Sequence, residues 1–215
     1  MNGAQAVIFD MDGVIVNSEP CHERAFLDVV REIGYAHNHG LTVSDYVGRS
    51  DRELWTDFVA RHKPAQTLAE LLAMKRARVV EILQSEQPLF KGLPELLERL
   101  APEYRMAVAS GSERAVVEAV LAFKGLGRFF SVTITGSDIV RGKPQPDIFL
   151  HASAELGVEP KNCWVIEDSK PGIAAGLAAG MRVIAIGNTH PAQELGAATY
   201  VVETYHQIAT LLLAG

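Results

Sequence analysis

The sequence predicts an α/β fold: an open parallel sheet whose alternation of strands and helices is interrupted by an α-helical insert. Three observations carry this. Short apolar, β-rich runs recur with helical patterns between them; one long stretch after the first run holds helical patterns only; and acids, serines and a lysine stand just past the ends of the runs. Four or five apolar residues without strict alternation suit parallel strands covered on both faces. In such a sheet, sites lie beyond the carboxyl ends of the strands.

The strands are expected at Ala6 to Phe9, Met106 to Ala109, Val132 to Thr135, Cys163 to Ile166 and Arg182 to Ile186, with a shorter one at Tyr200 to Val202. Helical stretches between them include Glu113 to Lys124 and Ile148 to Leu156. The insert covers roughly residues 17 to 87, entered near Asn17 and left near Pro88 to Gly92. It carries one stripe of Ala25, Phe26, Val29, Val30 and Ile33, closed by Gly34. A second stripe is Leu54, Trp55, Phe58 and Val59, and a third is Leu68, Leu71, Leu72, Val79, Ile82 and Leu83. No repeat or low-complexity segment interrupts this plan.

Composition narrows the function. The 215 residues are 48% hydrophobic and 21% charged, as in a folded globular chain. Twenty basic against 26 acidic residues give a formal charge of -6, and no basic block stands out to track a nucleic-acid backbone. No apolar run reaches the roughly 18 residues that span a bilayer. The opening MNGAQAVIFDMDG has no basic n-region, so no signal peptide is expected. Cys21 and Cys163 lack CxxC spacing and read as reduced thiols of a cytoplasmic protein.

The strand ends hold the chemistry. Asp10-Met11-Asp12-Gly13 follows the first strand, and alternation points both aspartates to a common side if the chain stays extended. The same residues also suit a capping Asp before a DG turn. Glu167 and Asp168 end the fourth strand; alone they read equally as acids at a helix N-terminus before Pro171. Brought together by a parallel sheet, four carboxylates need a cation, and an all-oxygen set favours a hard ion such as Mg2+. Ser110-Gly111-Ser112 ends the second strand and offers hydroxyls and backbone N–H groups to an anion, although small polar residues end many strands. Lys143, between Gly142 and Pro144, is either a solvated loop lysine or one held on a stiff turn to counter phosphate charge. Phosphate-loop and dinucleotide fingerprints fail. Gly136 lies one residue too far from Gly142-Lys143, Pro144 replaces the Ser or Thr, and Gly125 and Gly127 have no third glycine. In the third stripe of the insert, Lys75 interrupts the apolar face, so it either snorkels or reaches into a cleft. His37-Asn38-His39 has no partner nearby to complete a metal site, and Gly172, Gly176 and Gly180 read as close helix packing.

Together, Asp10-Met11-Asp12-Gly13-Val14, Ser110, Gly142-Lys143-Pro144, and Glu167-Asp168-Ser169 with Gly172-Ile173 and Ala179-Gly180-Met181 resemble the four motifs of the haloacid-dehalogenase-like hydrolases. Their order is similar to the β-phosphoglucomutase and phosphoglycolate-phosphatase branch, over nearly the whole chain. The resemblance implies a Rossmann-like core at 1–16 and 88–215 and a helical cap at 17–87. It implies Asp10 as nucleophile, forming an aspartyl-phosphate, and Asp12 as general acid and then base. Ser110 would bond the phosphoryl group and Lys143 would offset its charge. Mg2+ would be held by Asp10, the Asp12 backbone carbonyl, Asp168 directly and Glu167 through water. Gly111 and Ser112 would join substrate binding, as would the cap residues His22, Gly48, Arg49 and Lys75, with Lys75 facing the active site. Asp12 argues for phosphoryl transfer with prompt turnover, because dehalogenases and P-type ATPases of the family lack it. The expected activity is a Mg2+-dependent phosphatase acting on a small phosphorylated metabolite, a sugar phosphate above all; the alternative is a phosphosugar mutase. Glu113 and Arg114 stand where resembling mutases carry a basic residue and an amide for a distal phosphate, and the acid counts against that alternative. No nucleic-acid or membrane partner is expected, and a monomer is favoured.

Overall fold

The structure, a computed structural model, describes residues 5–36, 39–46 and 51–214. The chain divides into two compact units, Met1–Asn17 with Pro88–Gly215, and Ser18–Gln87. In chain order the elements are β1 (Ala6–Phe9), α1 (Glu19–Glu32), α2 (Asp51–His62), α3 (Leu68–Glu86), α4 (Leu93–Leu100), β2 (Arg105–Ala109) and α5 (Arg114–Ala122). There follow β3 (Val132–Ile134), α6 (Asp147–Leu156), β4 (Cys163–Glu167), α7 (Lys170–Ala178), β5 (Arg182–Ile186), β6 (Tyr200–Val202) and α8 (Tyr205–Leu213), with short 3-10 turns between some of them.

The larger unit is a Rossmann-like α/β fold. Its six parallel strands run in the order β3-β2-β1-β4-β5-β6. All four residues of β1 are buried, as a central strand covered on both faces requires. On one face Ile8, Val165 and Val183 pack with Ile148 and Phe149 of α6 and Ile173 of α7. Phe9 meets Phe130 edge-on at 5.8 Å. The register pairs Phe9 with Val108 on one side and Ile166 on the other. One residue on, Asp10 therefore stands level with Ala109 and Glu167.

The glycines of α7 differ in purpose from the common packing stripe expected. Gly176 does serve close packing: a Cβ there would come within 2.8 Å of Val183 Cγ2. A Cβ at Gly172 would instead overlap the Glu167 carboxylate, so that glycine makes room for a site residue. Gly180, just beyond α7 at φ +75°, has no described atom within 4 Å of where its Cβ would lie. Ser169 caps α7, its side chain accepting from the Gly172 N–H.

The smaller unit packs α1, α2 and α3 around Phe26, Val29, Val30, Leu54, Trp55, Phe58 and Leu71. Phe58 is the hub, with ring centroids 5.4 Å from Trp55, 5.3 Å from Tyr35 and 4.8 Å from His62. Burying one such side chain stabilises by roughly 1.5–3 kcal/mol. The half-exposed pairing of Arg78 with Glu32 adds about 0–1 kcal/mol, so aromatic burial decides the unit's stability. A Thr67–Glu70 capping box starts α3. The N-cap of α1 is Ser18, without a side-chain capping bond. No described helix is long and apolar enough to cross a membrane.

Candidate active site

The carboxyl ends of β1, β2 and β4 bring together the acids, serines and lysine that the sequence scatters. Asp10 is buried directly after β1, and its Oδ1 accepts from Lys143 Nζ at 2.5 Å. The same ammonium donates to Glu167 Oε1 at 2.7 Å and lies 5.0 Å from the centre of the Phe149 ring. Lys143 is thus a largely covered counter-ion, its side chain 13% exposed, and not a solvated loop lysine. Its loop is braced by a turn from the Gln145 N–H to the Gly142 carbonyl, 3.0 Å, and by the Arg141 fork on both oxygens of Asp147.

Asp12 leads a different life. Its Oδ2 accepts from Ser112 Oγ at 2.7 Å and from Ser110 Oγ at 3.3 Å. The Ser112 N–H donates in turn to Ser110 Oγ at 3.1 Å. Two carboxylates two residues apart therefore occupy unlike settings, one against an ammonium and one against hydroxyls. Gly13, at φ +77°, makes the turn that follows; a Cβ there would overlap the Asp168 carboxylate.

On β4, Glu167 Oε2 accepts from the Asp168 N–H at 2.8 Å and from the Ser169 N–H and Oγ, both at 2.9 Å. Glu167 thus ties down both the lysine and the start of α7. Asp10, Glu167 and Asp168 each offer a carboxylate oxygen to a common point, these oxygens lying within 4.8 Å of one another. Asp12 is not in this side-chain group. The donors are all oxygen and buried, which fits a hard divalent cation.

Charge balance argues the same way. Burial is the main force raising the Asp10 carboxyl well above the ordinary range; Lys143 opposes it, and Glu167, Asp168 and Asp12 add to it. Burial and then Glu167 push Asp168 up to about 7, against the hydrogen bond from Thr189. The two carboxylates hold Lys143 charged, its pKa raised despite burial. A carboxyl with a raised folded-state pKa holds its proton in the native state after the unfolded chain has released it. Its contribution to stability therefore falls as pH rises, here between about 4 and about 7. A divalent cation competes with those protons. The rise in melting temperature produced by Mg2+ is expected to be larger at pH 8 than at pH 5; equal rises in thermal scans at the two pH values would contradict this account of the cluster.

The model of the family described as haloacid dehalogenase-like hydrolase, in the hydrolase class, matches residues 4–180. The chain belongs to the haloacid dehalogenase-like hydrolases. It is 33% identical over 196 residues to Protein CbbY of Rhodobacter capsulatus, covering 84% of each chain. It is 32% identical over 189 residues to the fructose-1-phosphate phosphatase YqaB of Escherichia coli, covering 83% of this chain and 94% of that protein. The crystal structure of CbbY from Rhodobacter sphaeroides in complex with phosphate superposes with a TM-score of 0.81 at 25% identity, covering 95% of this chain and 96% of the other.

In the smaller unit of this hydrolase, Lys75 is buried in the stripe Leu71, Lys75, Val79 and Leu83. The stripe thus centres on Leu71 and Leu83, with Leu72 and Ile82 only partly covered. The Lys75 ammonium neither snorkels to water nor stands alone: it pairs with Asp51 and donates to His22 Nδ1 at 3.0 Å. Gly48 and Arg49 lie outside the described residues, as do His37 and Asn38. His39 packs edge-on against Phe26 at 5.6 Å. Gly111 and Ser112 stand at the end of β2, Ser112 on Asp12.

Sequence reasoning passed over the exit of β5. Thr189 Oγ1 donates to Asp168 Oδ2. Asn188 Nδ2 donates to the Gly13 carbonyl at 2.7 Å and to the Tyr205 hydroxyl at 2.9 Å, and that hydroxyl donates to the Val14 carbonyl at 2.5 Å. The only available signal was position: small polar residues directly after a strand of a parallel sheet border its site.

Proposed function

We propose that this hydrolase cleaves the phosphoric monoester of a small phosphorylated metabolite, a sugar phosphate, through an aspartyl-phosphate on Asp10. The observation that carries the reading is the pair of unlike carboxylates, Asp10 against Lys143 and Asp12 on the two serine hydroxyls. Two acids in different settings divide the labour of nucleophile and proton carrier.

In this reading the Asp10 carboxylate attacks phosphorus and the bond to the sugar oxygen breaks. Asp12 gives its proton to that oxygen as it leaves. The ionised Asp12 then takes a proton from a water molecule, whose oxygen attacks phosphorus, releasing Asp10 and inorganic phosphate. Ser110, with the Gly111 and Ser112 backbone, bonds the phosphoryl oxygens. Lys143 keeps Asp10 from being repelled by the incoming dianion. Asp10, the Asp12 carbonyl and Asp168 would hold Mg2+, with Glu167 acting through water. When bound, the ion neutralises charge on the transferring group. Four bonds already occupy Glu167, which suits an indirect role.

The smaller unit is assigned the choice of substrate through His22, Lys75, Gly48 and Arg49. Relatives named as acting on fructose 1-phosphate and as hexitol phosphatase support a sugar phosphate. A mutase needs a second phosphate site beside the β2 serines; there Glu113 brings an acid, and Arg114 already pairs with Asp138 at 2.7 Å. Two free, buried thiols accord with a cytoplasmic enzyme, and a monomer is its expected state.

The test is phosphate release from a panel of sugar phosphates, phosphoglycolate and pyrophosphate, with Mg2+ and with chelator. Release is expected from sugar phosphates and only with Mg2+. Little release from any member, with bisphosphate-primed isomer exchange, would overturn the phosphatase reading in favour of the mutase.

A further inference from the structure

The loop leaving β5 is fixed by an anchor that plays no part in the chemistry above. Asn188 bonds the Gly13 carbonyl and the Tyr205 hydroxyl, and Tyr205, itself buried, bonds the Val14 carbonyl. Two successive carbonyls of the turn after Asp12 are thereby clamped from α8 and from the β5 exit. The next residue in that loop is Thr189. Its hydroxyl donates to Asp168 Oδ2, and among the described residues no other side chain donates to the Asp168 carboxylate. The Thr189 methyl also borders the turn, 3.0 Å from where a Cβ on Gly13 would lie. Asp168 is the acid of the group with least support: Asp10 has Lys143, and Glu167 has Lys143, two backbone N–H groups and a serine.

We propose that Thr189 is a positioning residue that holds the Asp168 carboxylate for the divalent cation, on a loop kept in register by Asn188 and Tyr205. The inference rests on the reading of the acidic group as a Mg2+ site. A carboxylate on a single-bond stem rotates freely unless a neighbour fixes one oxygen, and a ligand that must first be ordered binds more weakly. Groups that orient metal ligands in this way are typically worth about 10- to 100-fold in affinity. Because Thr189 is exposed, its removal leaves no cavity and should not threaten the fold.

The experiment is calorimetric titration of the purified protein with Mg2+, in the absence of substrate, for wild type, Thr189→Val, Thr189→Ala and Thr189→Ser. The valine and alanine variants are expected to bind Mg2+ about 10- to 100-fold more weakly, while serine, which keeps the hydroxyl, returns the affinity close to wild type. Metal-free melting temperatures should match across the set. In turnover, the valine variant should need more Mg2+ yet approach the wild-type kcat at saturation. Wild-type Mg2+ affinity in Thr189→Val, with the wild type itself binding, overturns the role of Thr189 and leaves the functional reading intact. A wild type that takes up no Mg2+ overturns the metal reading and this inference with it.

Discussion

Asp10→Asn is expected to lower phosphate release by roughly 10^4- to 10^6-fold, the range seen when a nucleophile that works in concert with its neighbours is removed. The amide has nearly the shape of the carboxylate, but it cannot form the acyl-phosphate bond. The fold should survive, and the direction of the stability change is itself informative. Burial raises the Asp10 carboxyl well above the ordinary range, so at neutral pH its ionised form costs native stability. Asparagine removes that cost, and Lys143 keeps Glu167 at 2.7 Å as a partner. The metal-free variant should therefore melt no lower than wild type, and gain less from Mg2+. Near wild-type turnover in steady-state assays would contradict the role given to Asp10, and a large fall in melting temperature would contradict the charge balance described for it.

Asp12→Asn is expected to lower turnover on a sugar phosphate by about 10²- to 10⁴-fold, the usual worth of a positioned acid or base. Asn keeps an acceptor for the Ser110 and Ser112 hydroxyls, which lie 3.3 Å and 2.7 Å from Asp12 Oδ2, so the serine loop should hold its place. The two half-reactions respond differently. With an aryl phosphate, whose leaving oxygen needs no proton, transfer to Asp10 should proceed while hydrolysis of the intermediate stalls. A burst of released phenol followed by a slow steady state is the expected trace. Unchanged steady-state phosphate release, on either substrate type, would remove Asp12 from the mechanism.

Much of this was legible in the chain because the signals are local. Buried parallel strands announce themselves as short apolar runs, and all six expected strands form, each within one residue of its expected ends. The α3 stripe was readable too, though its centre is Leu71, Lys75, Val79 and Leu83. What was not legible is partnership across distance. Nothing near Lys75 marks Asp51 as its counter-ion, because α2 and α3 meet only after folding. Asn188 and Gly13 are 175 residues apart and become neighbours only because β5 and β1 both flank β4. Glycines mislead for a related reason. Gly172 and Gly176 share a spacing, yet one makes room for Glu167 and the other for Val183. Period reveals which face a residue occupies, and only the partner on that face reveals why it is small.

The proposed mechanism turns on a covalent phosphoryl group on Asp10. The most direct measurement is acid quench of Asp12→Asn during turnover of an aryl phosphate, followed by peptide mass spectrometry. A gain of one phosphoryl group is expected on the peptide that contains Asp10, absent from Asp10→Asn and absent without Mg2+. Turnover by the protein with no such adduct, or with the phosphoryl group on another residue, would contradict it.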